Sequence, residues 1–399
     1  MAIYRLQFQE QNYEWGSVHG ISDLLGIKNP DNKKIAELWL GDHHRAPSLI
    51  ELPEGVVLLD QFLAEHPKHL GEDSRAAFGD HLPFLFKVLS AEKPLSLQVH
   101  PNRRQAAVGF LREQKDGIEL TAFNRSYPDD NHKPELLYAL TPFRALCGFR
   151  PVEEIEDNLK QINSELADRL LQALNSAAPQ EKLKEFYSVL MSMPQSQQQQ
   201  LISQCLLCSF TDVVIEQEIK RLNTFFPQDI GVLSPLFLNL IQLQPGEAIF
   251  MAPGTLHTYL EGTGLEVMAC SDNVIRGGLT EKHQNVEELL EVVNWSTSGS
   301  SESFVLSGVT KSERQVLEAP VSDFCLSVLT LKEIKVSHRV YTATIILCLE
   351  GEAEVSDQAG STMKLIQGQS CFVSALGGQI SLSGKGRLAK VSSNIGKEG

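Results

Sequence analysis

The chain has 399 residues, of which 42% are hydrophobic and 21% are charged. This composition is typical of a globular protein and excludes a largely disordered one, and the length predicts two or three domains. The 35 basic and 50 acidic residues give a formal net charge of −15, which argues against a general nucleic-acid binder and against a protein that binds anionic membranes. A few lysines and arginines in one pocket would still suffice for a small anionic ligand.

Two further features indicate the compartment. The sequence has no apolar run near the ~18 residues that a membrane span needs, and residues 1–10 lack the apolar block of a signal peptide. The seven cysteines are odd in number and scattered, which does not indicate a disulfide framework. We therefore expect a cytoplasmic protein. The close pair Cys205 and Cys208 is interpreted as part of a helical core, with redox or metal chemistry as the alternative.

Residues 1–150 are predicted to form mainly short strands and turns. The clearest strand is 94–101, where side chains alternate between two faces with period two. One face carries Leu95, Leu97 and Val99. The other carries Ser96, Gln98 and His100.

Residues 151–229 predict a helical insert. Apolar residues recur there at spacings of three and four, which is the period of one helix face. These residues are Ile155, Leu159, Ile162, Leu166 and Leu170.

Strand-like sequence returns from residue 230 and contains an internal repeat. Leu243–Gly246 aligns with Leu365–Gly368 at an offset of 122 residues. The same offset aligns Phe250 with Phe372, Leu260 with Leu382, Gly262 with Gly384 and Gly264 with Gly386. A duplicated element of strands and glycine turns predicts two β-barrels, the alternative being chance glycine spacing. Since His257 of the first copy is Gln379 in the second, metal chemistry is expected only in the first.

Four polar side chains on predicted strands could bind one metal ion. Gln98 and His100 share a strand face about 6–7 Å apart. Glu135 opens an apolar strand, and His257 begins another. A divalent ion such as Zn²⁺ would partner two imidazoles, a carboxylate and an amide oxygen together. Taken singly, each histidine could be structural and the glutamine could face solvent.

Cationic residues lie near these positions in the sequence. Lys133 is two residues from Glu135, Lys87 lies within an apolar strand, and Arg276 and Lys282 follow a predicted strand. Cations on strands with a buried pattern favour an anionic ligand such as a phosphate, the alternative being lysines that extend to the surface. Walker-type and Gly-x-Ser-x-Gly motifs do not occur in the sequence.

At these residues the sequence resembles the type I phosphomannose isomerase family. Five blocks match in the family's order: 36–41, 83–87, 95–102, 131–135 and 265–276. The resemblance implies a mainly β fold of two cupin-type (jelly-roll) β-barrels with an inserted helical domain. The implied catalytic barrel comprises residues 1–150 and 230–300, the helical insert 151–229, and a C-terminal barrel without metal ligands 301–399.

The resemblance also implies a ligand set and a substrate pocket. One Zn²⁺ per chain would be held by Gln98, His100, Glu135 and His257. Arg276 matches the family's catalytic arginine. The positions associated with substrate are Ser96, Lys87 and Lys282, and those that line the pocket are Trp15 and Glu37.

The implied reaction interconverts mannose 6-phosphate and fructose 6-phosphate by proton transfer between C2 and C1 through an enediol(ate). Arg276 could stabilise the enediolate or hold the substrate, because an arginine stays charged at neutral pH. The base is either Glu266 or Lys133, and Asp272 is a further catalytic candidate close to Glu266 in sequence.

Two other functions are compatible with parts of the pattern. Two histidines and a carboxylate would suit a cupin metal-dependent oxygenase. A non-catalytic cupin that binds sugar phosphates is the second alternative. For the isomerase we expect a small phosphosugar as the partner, no nucleic acid, no membrane, and a monomer or weak homo-oligomer.

Overall fold

The computed structural model describes residues 2–176, 178, 181–296, 299–306, 308–311, 313–333 and 335–395. These residues form two antiparallel sheets and a series of helices. The predicted mainly β fold with a helical segment is thereby confirmed. None of the helices in these ranges combines the length and the hydrophobicity that a membrane-spanning helix requires.

The first part of the chain alternates strands with short helices. Its elements are β1 (Ile3–Gln7), β2 (Gln9–Gln11), α1 (Gly20–Leu25), β3 (Glu37–Leu40), β4 (Leu49–Leu52), β5 (Gly55–Leu58), α2 (Leu59–Glu65), α3 (Glu72–Phe78), β6 (Phe84–Ala91), β7 (Leu97–Val99), α4 (Arg103–Lys115), β8 (Glu135–Ala139) and β9 (Phe143–Phe149). The middle part is helical and comprises α5 (Val152–Lys160), α6 (Glu165–Ser176), α7 (Lys182–Met191), α8 (Gln195–Leu207) and α9 (Val213–Phe225).

The last part is again mainly strands. It continues with β10 (Leu238–Leu243), β11 (Ala248–Met251), β12 (His257–Ala269), β13 (Ile275–Gly278), α10 (Val286–Val292) and β14 (Val305–Leu306). It ends with β15 (Val309–Lys311), β16 (Arg314–Leu317), β17 (Cys325–Lys332), β18 (Val336–Arg339), β19 (Thr344–Asp357), β20 (Thr362–Ile366), β21 (Ser370–Val373) and β22 (Gln379–Ser392). Short 3₁₀ helices occur at Pro67–Leu70, Ile230–Leu236, Ser301–Phe304 and Ala375–Gly377.

Sheet 1 has the strand order β14-β11-β8-β12-β6-β3-β2, and β7, β9, β10 and β13 complete it. The long strand β12 pairs with different strands along its two halves. Residues 262–269 pair with β6, and residues 257–261 pair with β7 and β9. Gly262 at the junction has a φ of +126°, and a Cβ there would lie 2.6 Å from the Phe143 ring. Glycine is therefore required at the point where β12 bends.

Sheet 2 has the order β15-β16-β17-β22-β19-β21-β1-β4-β5, with β18 on β22 and β20 on β19. Its strands come mainly from the C-terminal part of the chain, but β1, β4 and β5 come from the N-terminal part. Conversely, β14 pairs with β11 of sheet 1. Segments far apart in the chain therefore hold the two sheets together. The domain limits drawn from the sequence stay predictions.

The internal repeat corresponds to a repeated set of strands. Strands β10, β11 and β12 correspond to β20, β21 and β22. At the offset of 122 residues, β12 begins at His257 and β22 begins at Gln379. The aligned glycines also share their backbone conformation, since φ is +126° at Gly262 and +124° at Gly384. The glycine spacing in the sequence thus reflects a bend that each copy needs.

The helices α5 to α9 pack against sheet 1. The single helix face predicted over residues 155–170 is wrong, because α5 ends at Lys160 and α6 begins at Glu165, which leaves Ile162 in the turn between them. Four of the five predicted residues are buried and Leu166 is partly buried. They share one core cluster with Leu97 and Val99 of β7 and with Phe149 of β9. Since strand side chains alternate, burial of Leu97 and Val99 toward the helices leaves Gln98 on the opposite face.

Truncation of one buried and one exposed leucine tests whether the helical part is stabilised by its buried core. Leu222 of α9 is 0% exposed, whereas Leu207 at the end of α8 is 88% exposed. We expect Leu222→Ala to lower the free energy of unfolding by about 2–5 kcal/mol, because it leaves a cavity. The matched control Leu207→Ala should change it by less than about 0.5 kcal/mol. Urea denaturation measures both, and similar values for the two variants would contradict the packing described above.

Candidate metal centre and active site

The predicted metal ligands lie on neighbouring strands of sheet 1. Gln98 lies in β7 and His100 directly follows that strand, while Glu135 begins β8 and His257 begins β12. The register pairs Gln98 with His257 on one side and with Arg276 of β13 on the other. Strand pairing therefore brings together residues that are far apart in the sequence.

His100, Glu135 and His257 form a buried triad. One ligand atom from each residue lies within 4.8 Å of the others. The Nε2 atom of His100 is 3.3 Å from Oε1 of Glu135, and that of His257 is 3.1 Å from Oε2. Each carboxylate oxygen thus faces one imidazole.

Backbone carbonyls determine which nitrogen of each imidazole carries the proton. The Nδ1 atom of His100 is 2.7 Å from the carbonyl oxygen of Asn273. The Nδ1 atom of His257 is 2.9 Å from the carbonyl oxygen of Thr255. Because a carbonyl oxygen only accepts, both Nδ1 atoms donate. In the neutral rings, both Nε2 atoms then direct a lone pair at Glu135.

Lone pairs that face a carboxylate inside a protein require a cation. Within the described part of the chain, the buried Nε2 atom of His100 has no hydrogen-bond partner. Such orphaned atoms are rare in folded proteins. Two imidazoles and a carboxylate suit Zn²⁺, and hydrogen bonds from Nδ1 to carbonyls are a usual means of orienting zinc-binding histidines. The triad therefore fits a zinc ion, and Gln98 stays the predicted fourth ligand.

The protonation states of the triad agree with this assignment. Burial lowers the pKa of His100 to about 4, which leaves the ring neutral at pH 7. Burial alone would raise the pKa of Glu135, but the charged groups around it, including the Lys133 ammonium, hold that pKa well below its ordinary range. The Nζ atom of Lys133 is 3.3 Å from Oε1 of Glu135. Metal binding needs these deprotonated forms.

A second cluster of possible ligands, His43, His44 and Asp272, is arranged differently. Its ligand atoms also lie within 4.8 Å of one another. However, Nδ1 of His43 accepts from the backbone N–H of Arg45 at 3.3 Å, so Nε2 carries the proton of the neutral ring. That nitrogen faces Asp272 at 3.5 Å, and Arg45 lies 3.2 Å from the same carboxylate oxygen. Protons and a guanidinium thus satisfy Asp272, and we assign the metal to the triad.

Lys87 lies between two buried carboxylates. Its Nζ atom is 2.8 Å from Glu266 and 3.4 Å from Glu37. Tyr259 donates to the other oxygen of Glu266 at 2.8 Å, and Trp39 donates to Glu37 at 2.8 Å. These contacts form one network beside the triad, since Tyr259 is two residues from His257 on β12.

The electrostatics of this network keep Lys87 charged. Burial would lower the pKa of Lys87, but Glu266 and Glu37 raise it above its ordinary value. Burial raises the pKa of Glu266, although Lys87 acts against that shift. Both oxygens of Glu266 are engaged, one by Tyr259 and one by Lys87.

Arg276 and Lys282 provide positive charge on the other side of the triad. Burial lowers the pKa of Arg276, but an arginine stays protonated at neutral pH. Its buried Nε atom has no hydrogen-bond partner among the described residues. Partial burial, followed by the charges of Arg276 and Arg45, lowers the pKa of Lys282. This group of cations suits an anionic ligand.

The remaining predicted pocket residues lie near these groups. Ser96 is half-buried and directly precedes β7. Trp15 stacks on Tyr13 with ring centroids 5.6 Å apart. Burial and then the charge of Glu37 raise the pKa of Tyr13.

Sequence reasoning missed three residues that organise the site. Tyr259 positions Glu266, and the carbonyls of Asn273 and Thr255 fix the two imidazoles. Period-two alternation after His257 could have indicated Tyr259. The carbonyls leave no signal, because any residue type supplies one.

The two clusters can be distinguished by zinc content. We expect Glu135→Ala to weaken zinc binding by more than the ~10–100-fold that loss of an outer partner costs, because it removes a direct ligand. Asp272→Ala should retain one zinc per chain. Metal analysis after dialysis measures both variants. Zinc loss from the Asp272 variant with zinc retained by the Glu135 variant would reverse the assignment.

The chain matches known proteins over nearly its whole length. Residues 3–152 match the catalytic domain of type I phosphomannose isomerase, and residues 314–393 match the cupin domain of mannose-6-phosphate isomerase. The predicted cupin-type architecture is thereby confirmed. The mannose-6-phosphate isomerase of Escherichia coli strain K12 is 36% identical over 386 residues, which cover 96% of this chain and 97% of the relative. That of Homo sapiens is 34% identical and covers 94% and 93%.

Solved structures agree with these relatives. A zinc-bound crystal structure of mannose 6-phosphate isomerase superposes with a TM-score of 0.90 at 35% identity, covering 99% of this chain and 100% of the other. A Salmonella typhimurium phosphomannose isomerase variant superposes with a TM-score of 0.92 at 34% identity, covering 99% and 100%. From its sequence and its fold, the chain belongs to the type I phosphomannose isomerase family.

Proposed function

We propose that the protein is a zinc-dependent isomerase that interconverts mannose 6-phosphate and fructose 6-phosphate. The observation that carries this proposal is the His100–Glu135–His257 triad, in which two oriented imidazoles direct lone pairs at one buried carboxylate. The zinc-bound family structure of similar fold supports it. The substrate is a small phosphosugar, as the names of the relatives indicate for those proteins.

Gln98, His100, Glu135 and His257 would hold the ion. When bound, zinc supplies Lewis-acid stabilisation of negative charge that develops on the sugar oxygens. The carbonyls of Asn273 and Thr255 keep the two imidazoles in the tautomer that binds. The low exposure of the triad keeps water away from the reacting carbons.

Arg276 and Lys282 serve the anionic groups of the substrate in this proposal. Arg276 is the register partner of Gln98, so its guanidinium is next to the metal ligands. A permanent cation there would stabilise the enediolate. Lys282 would bind the phosphate, supported by Arg45 beside it.

The choice between the two candidate bases follows from their contacts. Tyr259 and Lys87 each contact one oxygen of Glu266, so a substrate proton would have to compete with two existing contacts at this carboxylate. Lys133 lies 3.3 Å from the ligand Glu135 and hence beside the site of the sugar oxygens. We infer that Lys133 takes the C2 proton as the free amine and returns it to C1 as the ammonium, since the positive charge of a bound zinc ion would favour the amine form. Glu266 then holds Lys87 in the pocket wall.

The other pocket residues have supporting roles in this proposal. Lys87 forms ion pairs with Glu37 and Glu266. These contacts favour a structural role for Lys87 over direct binding of the phosphate. Ser96, Trp15 and Glu37 would line the sugar-binding side. Asp272 would hold Arg45 near the phosphate, since the two lie 3.2 Å apart.

We further infer a cytoplasmic protein that is a monomer or weak homo-oligomer. The cysteines support a reducing compartment, because no disulfide forms within the described part of the chain. A net charge of −15 supports separate chains, which repel one another.

Metal removal tests the proposed function directly. The purified protein should form fructose 6-phosphate from mannose 6-phosphate, lose this activity on chelation and regain it when one equivalent of zinc is added. The reason is that four side chains of the site would lose their shared partner. A coupled assay for fructose 6-phosphate measures the rate. A folded, zinc-loaded protein without this activity would contradict the proposal, and oxygen consumption would then indicate the oxygenase alternative.

Substitution of the two candidate bases tests the proton transfer. Lys133→Met should lower kcat by about 10²–10⁴-fold, the usual contribution of a proton-transferring group, with zinc content unchanged. Glu266→Gln should lower kcat by less than about tenfold, well below that contribution. It should also lower the free energy of unfolding by about 1–3 kcal/mol, because Lys87 loses a buried charged partner. Steady-state kinetics and urea denaturation measure these effects, and the opposite order of kcat losses would assign the base to Glu266.

A further inference from the structure

A buried carboxylate of sheet 2 contacts the loop that carries the proposed base. Asp323 lies between β16 and β17, and its side chain is 2% exposed. Its Oδ1 atom is 2.9 Å from Nε2 of His132. His132 is the residue before Lys133, in the loop that leads into β8. The sheet 2 side of the molecule therefore contacts the loop of the site through this side chain.

The His132 loop is held from sheet 1 on its other side. Asn273 donates from Nδ2 to the carbonyl of Asn131 at 2.8 Å and to the carbonyl of Asp129 at 2.9 Å. These contacts fix the backbone on both sides of residue 130. They leave the side chain of His132 to be held by Asp323. The segment is thus clamped between the two sheets.

The carboxylate sets the state of the His132 ring. Because a carboxylate only accepts, Nε2 of His132 carries a proton, and Nδ1 of the neutral ring is left as the acceptor. Arg103 lies 3.0 Å from the same nitrogen and 3.6 Å from Asp323. A guanidinium only donates, so the contact of Arg103 would fit an unprotonated Nε2. We assign the proton to Nε2 because Asp323 is buried and Arg103 is exposed, and Arg103 then serves as a counter-charge for Asp323. A buried carboxylate is costly, and these two partners account for its place.

We propose that Asp323 is a positioning residue: by holding His132, it keeps Lys133 at the metal ligand Glu135, and sheet 2 thereby completes the active site. The inference rests on the proposed function. The Nζ atom of Lys133 is 3.3 Å from Glu135, so a small shift of the loop would displace this nitrogen from the reacting carbons. A misplacement of about 1 Å is enough to cost a large factor in rate.

The variant Asp323→Asn tests this role, because the amide keeps the shape and removes the charge. We expect kcat to fall by about 10–100-fold, as for other residues that orient a catalytic group. KM should change by less than about threefold and zinc content should stay at one per chain, because neither substrate contacts nor ligands are altered. The matched control is Asp357→Asn in sheet 2, where Asp357 accepts from the N–H of Ser361 in the β19–β20 turn. Its kcat should equal that of the unsubstituted protein.

A double-mutant cycle shows whether Asp323 acts through His132. In the His132→Ala background, Asp323→Asn should change kcat by less than about twofold, because the contact is already lost. A purely structural role of Asp323 would give the same factor in both backgrounds. That result would overturn the proposal, as would a kcat within twofold of normal for Asp323→Asn alone.

The ring state of His132 can be measured without any variant or substrate. In the zinc-loaded protein, ¹⁵N spectra of labelled histidine should show the proton of His132 on Nε2. A proton on Nδ1 alone would overturn the proposal even if Asp323→Asn failed to fold. A zinc-loaded protein without isomerase activity would contradict the proposed function instead, so the two failures are distinguishable.

Discussion

The carboxylate of Glu135 is the interaction on which the rest of the site depends. Its two oxygens face two imidazoles whose protons are held elsewhere, so a buried negative charge meets lone pairs. Such a group is costly without a cation. The carbonyls of Thr255 and Asn273 orient the two imidazoles toward this carboxylate. The conformation of β12, which bends at Gly262, places His257 beside it. The bend allows His257 and the middle of β12 to serve different parts of one sheet.

The charged groups around this carboxylate fall into two sets, one mainly acidic and one basic. Next to the triad, one ammonium, that of Lys87, is shared by two carboxylates. On the other side, Arg276, Lys282 and Arg45 bring positive charges together. An acidic chain can therefore still present a local group of cations to an anionic ligand, although its net charge is −15. In the proposed function, the phosphate of the substrate would lie on the basic side and the sugar beside the acidic residues.

Strand periodicity and the internal repeat were sufficient to predict the mainly β fold and to select His100, Glu135 and His257 as candidate ligands. Their convergence could not be derived from spacing, because it depends on the register of β7, β8 and β12. The same holds for Lys87, which is conspicuous within an apolar strand but whose partners come from β3 and β12. The contact of Asp323 with the active-site loop gives no sequence signal, since it joins the two sheets.

The two copies of the repeated strands share a glycine conformation and differ at the ligand position. Both β12 and β22 bend at a glycine with nearly the same φ, and a Cβ at Gly384 would lie 2.5 Å from the carbonyl oxygen of Glu352. At the start of these strands the copies differ. His257 is buried in the triad, whereas Gln379 is exposed and accepts from Gln358 at 3.0 Å. Curvature of the sheet thus fixes the glycine in both copies, while the ligand position is constrained only where a metal must be bound. The second copy thus lacks the histidine at this position, and its strands pair within sheet 2, the sheet whose β16–β17 loop carries Asp323.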